Sequence, residues 1–140
     1  MNDEGLMAVT AGFDSDIVSF ESNSISSAET RHISTVNLEG EIGQPEAKEL
    51  CDLLLHMASK GVFSVVIDFS EVSHLDYRGV RPLVRRALAF RELGGDVKLA
   101  GLSPYIHAIV RSAGANDEFD VFAEIDQARW AFLRPNHRAP

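Results

Sequence analysis

The stretch VVIDFSEVSHLDYRGV, residues 65–80, decides how the chain is read. Its start belongs to a short apolar run, residues 62–70, rich in β-branched side chains. Such a run predicts a buried central strand. Its end opens a helix whose apolar face is Val80, Leu83, Val84, Ala87 and Leu88, at helical spacing. Pro82 cannot sit in a helix interior, because it lacks an N–H and clashes with the carbonyl four residues back. The regular helix therefore begins near Arg78 or Gly79 and runs to about Leu93, where Gly94 and Gly95 stop it. Residues 76–78 are left as a projecting bend at the carboxyl end of a strand.

Outward from this corner, strands and helices alternate. Residues 17–40 give two extended segments. Val18 and Phe20 mark the first; Ile33, Val36 and Leu38 mark the second, across the polar stretch 21–30, with Gly40 at its end. Residues 44–61 predict a helix, with Pro45 and Glu46 in its first turn and Gly61 beyond its end. DVKLAGL, residues 96–102, is a further strand. Ser103 and Pro104 open a helix that Gly114 closes. Residues 118–123 form a last short strand and residues 126–133 a last helix, with Asp126 as N-cap. The order β-β-α-β-α-β-α-β-α predicts an α/β domain: a mixed, mostly parallel sheet of about five strands with about four helices. Residues 1–16 read as a mobile lead-in, 17–133 as one domain and 134–140 as a flexible tail.

Composition narrows the function classes. The chain has 140 residues and a net charge of −8, from 21 acidic and 13 basic side chains. That balance argues against nucleic acid and anionic membranes as partners. No apolar run is long enough to insert into a bilayer, and the first residues do not read as a secretion signal. Cys51, the single cysteine, has no disulfide partner and lies in an apolar helical pattern. A cytoplasmic location follows.

Catalytic motifs are missing. Asp68 could be a phosphoacceptor, but no adjacent acidic pair follows an early strand to hold Mg²⁺ and no lysine ends a late strand. It reads as a turn or structural residue. His32, His56, His74, His107 and His137 are scattered without metal-ligand spacing. There is no P-loop, no G-x-S-x-G and no G-x-G-x-x-G. No cofactor or metal is expected. Phe119, Phe122, Trp130 and Phe132 read as packing aromatics. The corner is the exception. Asp76, Tyr77, Arg78 and Gly79 lie where α/β sheets meet ligands and partners. Arg78, Arg81 and Arg85 share one helical face, flanked by Arg86 and Arg91, beside an exposed Tyr. Tyr and Arg are enriched in interface hot spots. A solvated amphipathic face is the plainer reading of the same residues.

The chain resembles the STAS domains, named for sulfate transporters and anti-sigma factor antagonists, over Ile33 to Phe132. The landmarks are NLEGEIGQPEAKELCDLL (37–54), similar to the family's Gly-Glu-Leu-Asp loop and first helix, and VVIDFSEVSHLDYRGV (65–80), similar to Asp-Leu-Ser…Asp-Ser-Ser-Gly. RELGGDVKLAGLSPYIHAIVRSAGANDEF (91–119) is similar to the Gly-Gly strand, Leu-Ser-Pro helix and Gly-Leu-x-x-x-Phe segment. DQARWAF (126–132) is similar to the closing helix. In the bacterial antagonists that this resembles, a partner kinase, which is also the anti-sigma factor, phosphorylates the first Ser after the Asp. Phosphate adds roughly −1.5 to −2 charge there and disrupts docking.

This sequence departs from that pattern. The phosphoacceptor-equivalent position is Tyr77, the second Ser is Arg78, and the Gly-Glu-Leu-Asp loop reads Gly40-Glu41-Ile42-Gly43. A serine kinase places a short hydroxyl for in-line transfer, and a phenol several ångströms further out misses that geometry. The resemblance therefore implies a non-enzymatic module that docks a switch kinase or other anti-sigma partner. The expected docking residues are Ser73, Asp76, Tyr77, Arg78, Gly79, Arg81 and Arg85. Serine control at position 77 is expected to be lost, with Ser70 and Ser73 as the nearby hydroxyls that could substitute. A homodimer through an exposed sheet edge is compatible with this. Two other classes remain: a soluble STAS subunit of an ABC-type lipid or solute transport complex, and a small-ligand receptor or enzyme.

Overall fold

The computed structural model describes residues 33–115 and 117–133. Strand β1 (Ile33–Ile42) leads to helix α1 (Gln44–Ser59) and strand β2 (Ser64–Leu75). A single 3-10 turn, Tyr77–Gly79, precedes α2 (Val80–Glu92) and β3 (Asp96–Ala100). Helix α3 (Pro104–Ser112), β4 (Val121–Phe122) and α4 (Ile125–Leu133) complete the domain. The strands lie in the order β1-β2-β3-β4, and every neighbouring pair is parallel. The expected α/β class and four helices are present. The sheet has four strands among the described residues rather than about five. The expected strand at 17–20, the lead-in 1–16 and the tail 134–140 lie outside the described residues.

This strand order explains where the core sits. Each right-handed crossover advances the sheet by one strand, so α1, α2 and α3 fall on one face. There Val36, Leu38, Val65, Ile67, Phe69, Val97 and Leu99 meet Leu50, Leu54 and Met57 of α1, Leu83, Val84, Ala87 and Phe90 of α2, and Ile106 and Val110 of α3. The opposite face carries a smaller cluster, Ile33, Val66 and Ala100 beneath Ala128 of α4, with Phe122, Ile125 and Phe132 packed at its edge. Strand β2 is buried on both faces, as its near-continuous apolar run requires.

The helix signals read from the sequence act locally. Ser103 Oγ accepts from the Ile106 N–H at 3.1 Å, and Glu46 Oε1 accepts from the Gly43 N–H at 2.9 Å. Gly61 and Gly114 adopt φ of 86° and 77° just beyond α1 and α3. Pro82 occupies the third position of α2, where its missing N–H would have had no intrahelical acceptor.

Several expectations are corrected. Gly40 does not end β1. Its φ of 82° accommodates a register shift, after which the strand resumes to Ile42. Strand β2 does not stop at residue 70 but continues to Leu75, and Asp68 lies within it rather than in a turn; its Oδ1 accepts from the Ser70 N–H at 3.0 Å. Leu88 is exposed, and Phe90 takes the core position. Trp130 is 61 % exposed rather than packed. Asp126 lies inside the first turn of α4, while the Glu124 N–H is closed by Gln127 Oε1 at 3.1 Å.

One buried charge network ties the last strands together. Lys98, 2 % exposed, donates to Asp96 Oδ2 and Asp120 Oδ2, both at 2.9 Å, and its Nζ lies 4.6 Å from the centre of the Phe132 ring. Arg91 Nε donates to Asp96 Oδ1 at 2.7 Å, and its guanidinium also reaches the Glu118 carbonyl. The two cations and two carboxylates join α2, β3 and the entry to β4. Breaking a buried pair strands the other charge, which costs more than the pair itself contributes. Lys98→Met is expected to lower stability by about 3 kcal/mol, read as a fall in the urea midpoint at constant m-value.

Candidate functional site

The corner begins where β2 runs out. Leu75 and Val80 are buried on either side of it, and the Asp76 N–H donates to the Ile42 carbonyl at 2.9 Å, fixing the chain to the end of β1. Asp76 is extended and caps the turn: its Oδ1 accepts from the Arg78 N–H at 2.9 Å. The Gly79 N–H closes on the Asp76 carbonyl at 2.9 Å. Gly79 is buried, and a Cβ there would stand 2.6 Å from the Cβ of Ala47 in α1. The turn is thus seated against α1 with no side chain between. With residues 75, 79 and 80 turned inward, Tyr77 and Arg78 face out, and Tyr77 is 60 % exposed.

Arg78 is exposed but not free. Its Nε donates to Asp76 Oδ1 at 3.0 Å and its Nη2 to Asp76 Oδ2 at 2.8 Å, a two-pronged clamp. The Arg78 side chain, followed by its backbone N–H, holds the Asp76 carboxyl down at about 2. The positive charge that Arg78 brings to the corner is therefore matched by an adjacent negative one.

The other arginines separate by task. Arg81 Nη2 donates to the Ala113 carbonyl at 3.1 Å, at the C-terminal end of α3, where a cation is favoured. Arg85 is exposed on α2. Arg86 is half-buried with its Nε unpartnered, and its guanidinium lies beside Cys51. Burial nevertheless pushes the Cys51 thiol up. Arg91 belongs to the buried network at the far end of the helix. Only Arg78, Arg81 and Arg85 stay near the corner, and two of these three have internal hydrogen bonds.

Ser70 and Ser73 are exposed on β2. Sequence reading missed Tyr105, which is 54 % exposed in the first turn of α3. Its hydroxyl lies 2.7 Å from His74 Nδ1, with the two ring centres 5.8 Å apart. The partners lie on different elements, so no spacing rule could pair them. Among the described residues no cluster of His, Cys, Asp and Glu is suited to a metal, and no helix is long and apolar enough to cross a membrane.

The lowered carboxyl pKa sets a pH expectation. A depressed folded-state value means that the Asp76 contribution is present above the ordinary carboxylate range and is lost as pH falls through about 2. In a side-chain carboxyl NMR titration Asp76 should stay ionised down to that range. Arg78→Ala should move its midpoint up toward the ordinary carboxylate value of 3.8.

Comparison with known proteins finds the same fold. A family model described as Mlab, STAS domain matches residues 25–124. An anti-sigma factor antagonist from Mycobacterium paratuberculosis superposes with a TM-score of 0.61 at 22% identity, covering 73% of this chain and 86% of its own. The Bacillus cell fate determinant SpoIIAA in its phosphorylated form gives a TM-score of 0.57 at 19% identity, covering 77% and 96%. A sulfate transporter family protein from Wolinella succinogenes gives 0.62 at 18% identity, covering 72% and 85%. At such identities the likeness is one of fold. No curated protein matches the chain. The family model spans most of the described residues, and the solved relatives share the fold over nearly their whole length: the chain belongs to the STAS domain family.

Proposed function

We propose that this protein is a non-enzymatic, cytoplasmic binding module of the anti-sigma factor antagonist type. It docks an anti-sigma factor or serine-kinase-like partner through residues 73–79 and the start of α2. The observation that carries this reading is Tyr77: a large side chain, 60 % exposed, on a turn fixed by the Asp76–Arg78 clamp and the Gly79–Ala47 approach. A rigid exposed aromatic loses little freedom on docking and supplies much contact area. The same residue removes the serine on which phosphorylation control would act. The partner therefore binds without that switch, unless Ser70 or Ser73 replaces it.

A second reading has support of its own. The matching family model is described as Mlab, and the solved relatives include a sulfate transporter family protein. On that reading the same corner docks a subunit of a transport complex. Neighbouring genes discriminate, sigma-regulatory for the first reading and transport for the second.

Tyr77→Ala combined with Arg85→Glu should weaken partner binding on the order of 100-fold, measured by calorimetry, with a nearly unchanged melting midpoint. Arg85 serves better than Arg81 because Arg81 is bonded to α3. Incubation with a cognate serine kinase and ATP, followed by peptide mapping, should leave residue 77 unmodified. Phosphate on Ser70 or Ser73 would restore a conventional switch.

A further inference from the structure

The chain has two tyrosines, and the fold brings both to the carboxyl edge of the sheet. Tyr77 stands on the 3-10 turn and Tyr105 in the first turn of α3, and the turn itself contacts α3. Tyr105 is exposed yet held, because its hydroxyl bonds His74 Nδ1 at 2.7 Å. His74 is also exposed, near the end of β2, three residues before Tyr77. Two exposed side chains bonded to each other bury no apolar surface worth protecting, so the bond does little for the core. What it does is restrict the Tyr105 ring before any partner arrives, which lowers the entropy lost on docking.

The ground around the two rings divides by charge. Arg81, Arg85 and Arg111 are exposed on the α2 and α3 side, and none forms an ion pair among the described residues. Glu41, the register partner of His74, and Glu71 lie on the β1 and β2 side. The Asp76–Arg78 clamp between them cancels itself. An acidic partner is repelled by a chain of net charge −8 and is favoured along this basic rim.

We infer that Tyr77 and Tyr105 form one two-aromatic docking surface for a folded protein partner whose face carries an acidic rim, with His74 as the positioning residue that holds Tyr105. This deepens the docking role proposed above and rests on it. It also moves the footprint from the outer face of α2 toward α3.

The test titrates the full-length protein calorimetrically with each purified serine-kinase-type anti-sigma factor of the same genome. Tyr105→Ala and Tyr77→Ala should each weaken binding on the order of 30-fold, with melting midpoints close to wild type. His74→Ala and Tyr105→Phe should each weaken it about threefold. Their combination should weaken it no further, since both remove one hydrogen bond. Added salt should weaken the wild-type complex by screening the rim, and Arg85→Glu should reduce that salt dependence. Loss on Tyr77→Ala with wild-type affinity for Tyr105→Ala overturns the two-aromatic surface and leaves the docking role standing. Additive losses for His74→Ala and Tyr105→Phe overturn the positioning role. Failure of every such factor to bind the wild-type protein, or wild-type affinity for both alanine variants, overturns the docking role together with this inference.

Discussion

The corner exists because Gly79 has no side chain. A Cβ at that position would come within 2.6 Å of the Ala47 Cβ, far inside any contact that real carbon atoms make. The missing atom lets the turn rest directly on α1, which fixes the height at which α2 leaves the sheet. Once α2 starts there, Leu83, Val84, Ala87 and Phe90 fall onto the core in register. Arg81 then reaches the end of α3. A larger residue would part the turn from α1 and tilt everything downstream. The same contact leaves Tyr77 on the outer side of the turn, exposed to solvent.

Electrostatics follow a similar economy. The chain is acidic overall, yet several of its cations are spent internally. Lys98 and Arg91 neutralise Asp96 and Asp120 where β3, β4 and α2 meet. Arg78 neutralises Asp76, and Arg81 closes a helix end. Burial of Lys98 is tolerable because two carboxylates and an aromatic ring surround the ammonium. The positive charge left near the corner is correspondingly small and local.

The sequence made legible what is decided within a few residues. The buried β2 run, the Ser103 cap, the glycines after α1 and α3, and the forced start of α2 around Pro82 all follow from local chemistry. What could not be read depends on neighbours distant in sequence. Gly40 looks like a strand end because glycine often is one; only pairing with β2 shows that β1 resumes after it. Leu88 and Phe90 are both apolar and two residues apart, so the pattern alone could not say which one the sheet would cover. The clamp of Arg78 on Asp76 was within reach of sequence, since the two are near neighbours. A row of arginines at helical spacing drew the reading toward a basic strip instead. The His74–Tyr105 bond joins elements separated by a whole βαβ unit and left no trace in spacing.

The clamp also bears on how the corner could be regulated. In a phosphoserine switch, added negative charge lands next to the turn, where the first N–H groups of the turn and helix favour an anion. Here that place is filled. The Asp76 carboxylate already accepts from the Arg78 N–H, and the Arg78 guanidinium already offsets its charge. A phosphate arriving there would have to displace a carboxylate held in its ionised form down to about pH 2. Tyr77 is exposed, so charge placed on its phenol would meet solvent and be screened. The corner is thus a surface whose charge is balanced at its centre beside an exposed aromatic ring.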